Sequence, residues 1–141
     1  VSPTGKKILV VDDDPVILKP MSLKLRSAGY AVATAMDGSA AIAAVRDEQP
    51  DLVLLDLDFP PDISNGGRVT WDGFQIMSWL RRLEGTSRVP FIVISAAEPA
   101  IYEQAALAGG AVAFFHKTVE HDDLLGRIRH TLRARPGTSA A

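Results

Sequence analysis

The sequence predicts a doubly wound α/β fold: a five-stranded parallel sheet between two helical layers, three layers αβα in all. Three observations predict it. Five short apolar runs, at residues 8–11, 30–35, 52–55, 91–94 and 111–115, recur along the 141-residue chain. Stretches with helical spacing of apolar residues separate them. The runs at 8–11, 52–55 and 91–94 are apolar at every position, as expected of parallel strands covered on both faces.

Ile8-Leu9-Val10-Val11 is the first strand and ends at Asp12-Asp13-Asp14-Pro15. Asp14 suits a helix N-cap and Pro15 a first turn. The helix that follows carries Ile17, Leu18, Met21 and Leu25 on one side and stops near Gly29. Pro20 inside it lacks a backbone donor and is expected to kink it. Residues 30–35 are the second strand, and Asp37-Gly38 opens a helix through Ala40, Ala41, Ala44 and Val45, ending before Pro50. Residues 52–55 are the third strand, ending at Asp56. A long loop leads to a helix over 74–83 with Ile76, Met77 and Leu80 inward. Residues 91–94 are the fourth strand, ending at Ser95. An Ala-rich helix over 99–108 is closed by Gly109-Gly110. Residues 111–115 are the fifth strand, ending at His116-Lys117. The last helix, 120–132, turns Leu124, Leu125, Ile128 and Leu132 inward.

Composition narrows the function classes. Hydrophobic residues make up 47%, enough for a packed core. The formal charge is −2, from 15 basic and 17 acidic residues, so no basic excess points to direct nucleic-acid binding. The absence of cysteine removes disulfides, thiolate metal sites and cysteine nucleophiles, and fits a reducing compartment. No apolar run is long enough to span a bilayer, and residues 1–7 lack a signal-peptide core. A cytoplasmic location is expected. The expected organisation is an N-terminal extension (1–6), one domain (7–133) and a flexible tail (134–141).

Ligands of open parallel sheets sit beyond the carboxyl ends of the strands. There the sequence gathers Asp12, Asp13 and Asp14 after the first strand, Asp56 after the third, Ser95 after the fourth and Lys117 after the fifth. Clustered carboxylates repel unless a cation neutralises them, and an all-oxygen set suits Mg²⁺. A carboxylate can attack phosphorus and form an acyl phosphate. A metal, an ammonium and a hydroxyl stabilise charge on the transferring oxygens.

These motifs resemble the receiver domains of bacterial response regulators. Residues 8–15 resemble the opening of that family, and Pro50-Asp51-Leu52-Val53-Leu54-Leu55-Asp56 its phosphoacceptor strand. Residues 91–95 followed by Ala96, and Phe114-Phe115-His116-Lys117, match the remaining two motifs, and the likeness covers roughly 6–133. The resemblance implies a flavodoxin-like fold with strand order 2-1-3-4-5. It implies that Asp56 accepts a phosphoryl group as 4-aspartylphosphate and also ligates Mg²⁺. Asp13 is then a direct metal ligand, Asp12 a ligand often acting through water, and the Asp58 backbone carbonyl a further ligand. Lys117 pairs with the phosphoryl group. Ser95 hydrogen-bonds it and, with Phe114, forms the switch. The implied partners are a sensor histidine kinase or phosphotransfer protein and a downstream protein. Self-phosphorylation and autodephosphorylation are then the only reactions, with no turnover of a separate substrate. A homodimer through the fourth helix, fifth strand and fifth helix also follows from the likeness.

Three features depart from the family pattern. Asp72-Gly73 lies about nine residues later than usual, because residues 61–71 are inserted beside the site. The insert carries Asn65-Gly66-Gly67 and Trp71. It reads as a cover, a partner contact or a passive loop. Thr118 replaces the proline that normally follows the lysine, so a trans bond is expected there. Asp58 stands where attacking water approaches; it alters dephosphorylation, strengthens metal binding, or is merely solvated.

Blander readings accompany each residue. Asp14 is a cap rather than a ligand. His116, His121 and His130 share no ligand spacing and read as surface residues. Trp71 and Trp79 read as packing residues, and Arg127, Arg129, Arg133 and Arg135 as a solvated face. Two rival functions stand beside the receiver. Leu55-Asp56-Leu57-Asp58 resembles the nucleophile motif of haloacid-dehalogenase-like phosphatases, although Phe59-Pro60 follows where Gly-Thr is usual. A degenerate receiver would bind partners without phosphorylation. A flavin site lacks its phosphate loop.

Overall fold

The computed structural model describes residues 5–12, 14–56, 73–82, 89–95, 99–116 and 120–134, without the side chains of 73–75, 99–102 and 134. Ten elements alternate: β1 (Lys7–Val11), α1 (Pro15–Ser27), β2 (Ala31–Ala35), α2 (Gly38–Glu48), β3 (Leu52–Asp56), α3 (Gly73–Arg82), β4 (Phe91–Ser95), α4 (Pro99–Ala108), β5 (Ala113–His116) and α5 (His121–Ala134). The strands form one sheet in the order β2-β1-β3-β4-β5, and every pairing is parallel. The fold class and strand order expected from the sequence are thus observed.

Strand alternation sorts the core into two layers. Leu9, Val11, Val53, Leu55, Phe91 and Val93 face one way and pack with Ala41 and Val45 of α2, Ile76, Met77 and Leu80 of α3, and Ala106 of α4. Ile8, Val10, Leu52, Leu54, Ile92 and Ile94 face the other way, against Leu18 and Leu25 of α1 and Leu124, Leu125, Ile128 and Leu132 of α5. β3 and β4 are buried at every position, as their unbroken apolar runs require. The edge strands β2 and β5 are only partly buried.

Two strands begin later than their apolar runs suggest, for one reason. Gly29 and Gly110 take φ of +101° and +110° after α1 and α4. The Tyr30 N–H donates to the Leu25 carbonyl (3.1 Å) and the Gly29 N–H to Arg26 (3.0 Å). Likewise the Ala111 N–H donates to Ala106 (3.0 Å) and the Gly110 N–H to Leu107 (3.1 Å). Both are Schellman endings. They claim Tyr30 and Ala111 for the helix ends, and Tyr30 seals its turn by packing in the same apolar layer as Leu25.

α1 runs from Pro15 to Ser27 with Pro20 inside it. The carbonyl that Pro20 leaves without a donor belongs to Val16, which is 75% exposed, so water can satisfy it. Leu18 and Leu25, on the opposite side, stay buried. Ile17, which shares their helical spacing, is 39% exposed instead. Trp79 packs against the α3 layer, as expected of a packing residue. His116 and His130 are exposed, His121 is half-buried, and Arg127, Arg129 and Arg133 face solvent.

Candidate phosphoacceptor site

The site is built where β1, β3 and β4 end. Val11 of β1 is the register partner of Leu55 of β3, so Asp12 and Asp56 leave the sheet at the same level on adjacent strands. Adjacent strands run about 4.8 Å apart, and residues in register point to the same face. Both carboxylates are 5% exposed. Asp56 in turn pairs with Ile94, which puts Ser95 one step further along β4. Ser95 is fully buried.

Backbone geometry fixes Asp12 before any ligand arrives. Its N–H donates to the Ala35 carbonyl (3.1 Å), extending the β1–β2 ladder one residue past β1. Its Oδ1 accepts the Asp14 N–H at 3.0 Å. Asp14 then caps α1: its Oδ1 accepts the Val16 N–H at 2.9 Å. The Asp14 side chain therefore serves the helix, as the sequence suggested, while its backbone serves the site.

Ser95 pairs with His116 across β4 and β5, and Val93 pairs with Phe114. Ser95 and Phe114 consequently lie on the same face of the sheet. Phe114 is half-buried and packs against the α2–α3–α4 layer. Two features are not legible in the sequence: exposed His116 is the register partner of Ser95, and the Asp14 N–H orients Asp12. Neither has a sequence signal, because register and backbone direction arise only in the assembled sheet.

The structure brings together Asp12, Asp56 and Ser95 and places Phe114 behind Ser95. Asp13, Asp58, Lys117, Thr118, Trp71, Arg135 and the insert 61–71 lie outside the described residues. Among the described residues no three acidic or histidine side chains form a metal-binding group. The chemistry of the donors nevertheless suits a hard dication. Two buried carboxylates on adjacent strands supply oxygen donors of the kind such a cation takes.

The sequence profile of the response regulator receiver domain matches residues 8–129. The chain belongs to the response regulator receiver family. Its relatives include the transcriptional regulatory protein PrrA of Mycobacterium tuberculosis, 31% identical over 138 residues, covering 98% of this chain and 54% of PrrA. KdpE of the same species is 35% identical over 126 residues, covering 89% of this chain and 50% of KdpE. The chain thus spans about half the length of the curated relatives it matches. Among solved structures, the BeF3-activated receiver domain of Klebsiella pneumoniae RstA superposes with a TM-score of 0.76 at 28% identity, covering 90% of this chain and 98% of that one. The receiver domain of the Pseudomonas aeruginosa sensor kinase PA1611, with magnesium in its active-site cleft, gives 0.77 at 25% identity, covering 92% and 99%. The receiver is the phosphoacceptor module of two-component signalling, and the chain carries that role as its family function.

Proposed function

We propose that Asp56 is the phosphoacceptor of this receiver and takes its phosphoryl group from the phosphohistidine of a sensor kinase or phosphotransfer protein. The observation that carries the reading is the adjacency of the buried Asp12 and Asp56 carboxylates, with buried Ser95 one step away. An Asp56 carboxylate oxygen forms a bond to phosphorus as the phosphorus–nitrogen bond of the donor breaks, and the leaving imidazole keeps the electron pair and takes up a proton. Ser95 hydrogen-bonds the transferred group, and Lys117 pairs with its charge. Asp12 and Asp13, with Asp56 and the Asp58 carbonyl, would hold Mg²⁺. When bound, that ion neutralises the charge gathered during transfer.

Relaxation of Ser95 toward the new anion vacates space that Phe114, on the same face of the sheet, can enter. A downstream protein then reads the altered surface of α4, β5 and α5. Leu107 and Val112, 44% and 43% exposed, lie on or beside α4 and β5 and support a homodimer through that face. A cytoplasmic setting agrees with this chemistry. Among the described residues, no helix is long and apolar enough to cross a membrane.

The test is intact-protein mass after incubation with acetyl phosphate and Mg²⁺. One stoichiometric phosphoryl adduct is expected on the wild type and none on Asp56→Asn. An adduct retained in the variant overturns the assignment of Asp56.

A further inference from the structure

A second site lies between α3 and α4, at the edge of the sheet away from Asp56. Both helices end there, because β4 and β5 begin there. The space between them is a cleft of about 390 Å³, lined by Met77, Ser78, Arg81, Arg82, Ala105 and Gly109. Two arginine side chains line it, and Met77 beside them is almost wholly buried in the core.

Both arginines are held in place. The Arg81 stem lies across the α4 ending: a Cβ on Gly110 would sit 2.9 Å from Arg81 Cδ and 3.0 Å from Cγ. A Cβ on Gly109 would collide with Met77 Cε. The Gly109-Gly110 pair is therefore more than a helix stop; it lets Met77 and Arg81 settle against α4. Arg82 Nη2 donates to Ser78 Oγ at 3.1 Å. Among the described residues, neither guanidinium has a carboxylate partner. Arginine in a last helical turn offsets the carbonyl dipole, but that does not require two side chains lining one cleft.

We propose that this cleft docks an acidic segment of a protein partner, with carboxylates on Arg81 and Arg82 and an apolar side chain against Ala105. A guanidinium fork matches a carboxylate, and pre-ordering reduces the entropy lost on binding. The cleft is partly open to solvent, whereas small-molecule sites enclose most of their ligand. That favours a segment laid across it. The partner would dock without covering Asp56, so it could stay bound in either phosphorylation state.

The probe is an end-blocked peptide of four glutamates around a central leucine, followed by amide NMR on the full chain at low salt. Saturable shifts are expected at Ser78, Arg81, Arg82 and Gly109, weakened about tenfold by Arg81→Gln and further by the double variant with Arg82→Gln. Arg133→Gln, also in a last helical turn, should leave binding unchanged. Absence of saturable shifts, equal binding of the glutamine version of the peptide, or equal loss in Arg133→Gln would each overturn the proposal. Inorganic phosphate competing as well as the peptide would show a simple anion site and overturn the peptide assignment. Acetyl phosphate labelling of Asp56, measured on the same variants, should persist. Its failure bears on the phosphoacceptor reading and not on the cleft.

Discussion

Asp12 and Asp56 stand side by side on β1 and β3, one residue beyond the Val11–Leu55 pair. Two buried carboxylates at that spacing offer the hard oxygen donors that a divalent cation takes. Mg²⁺ should therefore raise the melting temperature of the wild type. Asp12→Asn should retain the fold and lose most of that rise, since binding to the native state stabilises in proportion to affinity. Calorimetry of both proteins with and without Mg²⁺ checks this; equal rises would remove Asp12 from the metal site.

Asp14 separates helix capping from chemistry. Its side chain caps α1, whereas the bond to Asp12 uses its backbone N–H. Asp14→Ala should cost about 1 kcal/mol of stability yet leave acetyl phosphate labelling intact. Urea unfolding and intact mass measure the two effects on one sample.

Gly110 cannot be replaced cheaply. At φ +110° an alanine is strained, and its Cβ would sit 2.9 Å from Arg81 Cδ. Gly110→Ala should lose about 1–2 kcal/mol. A melting temperature equal to the wild type would show that the α4 ending relaxes more freely than its bonding implies.

Tyr30 makes stability fall at alkaline pH. Burial raises its phenol above the ordinary value of 10.0, while Arg129 and Arg133 pull it down by less. The folded pKa is above the unfolded one, so this contribution is complete below pH 10 and is lost as pH rises through the folded pKa. Tyr30→Phe should flatten the decline in stability above pH 10, as measured by urea unfolding at a series of alkaline pH values.

Local chemistry made much of this protein legible. Asp14-Pro15 announced α1, and Asp37 announced α2, where its Oδ1 accepts the Ala40 N–H at 2.7 Å. Such caps involve neighbours in the chain, so sequence suffices. The unbroken apolar runs of β3 and β4 announced central strands because burial on both faces leaves no polar position. Pro20 sits inside α1 at a local cost, and packing of Leu18 and Leu25 on one side with exposure of Val16 on the other lets the helix continue past it.

The order of residues alone determined that acidic, hydroxyl and amine groups would follow the strands, since each strand must stop where its apolar run stops. Only the assembled sheet decided which of them meet. Register set Asp12 level with Asp56 and Ser95 beside His116, and the meeting of two helix ends put Arg81 on Gly110. Those distances depend on hydrogen bonds and contacts between segments far apart in the chain, which no local pattern encodes.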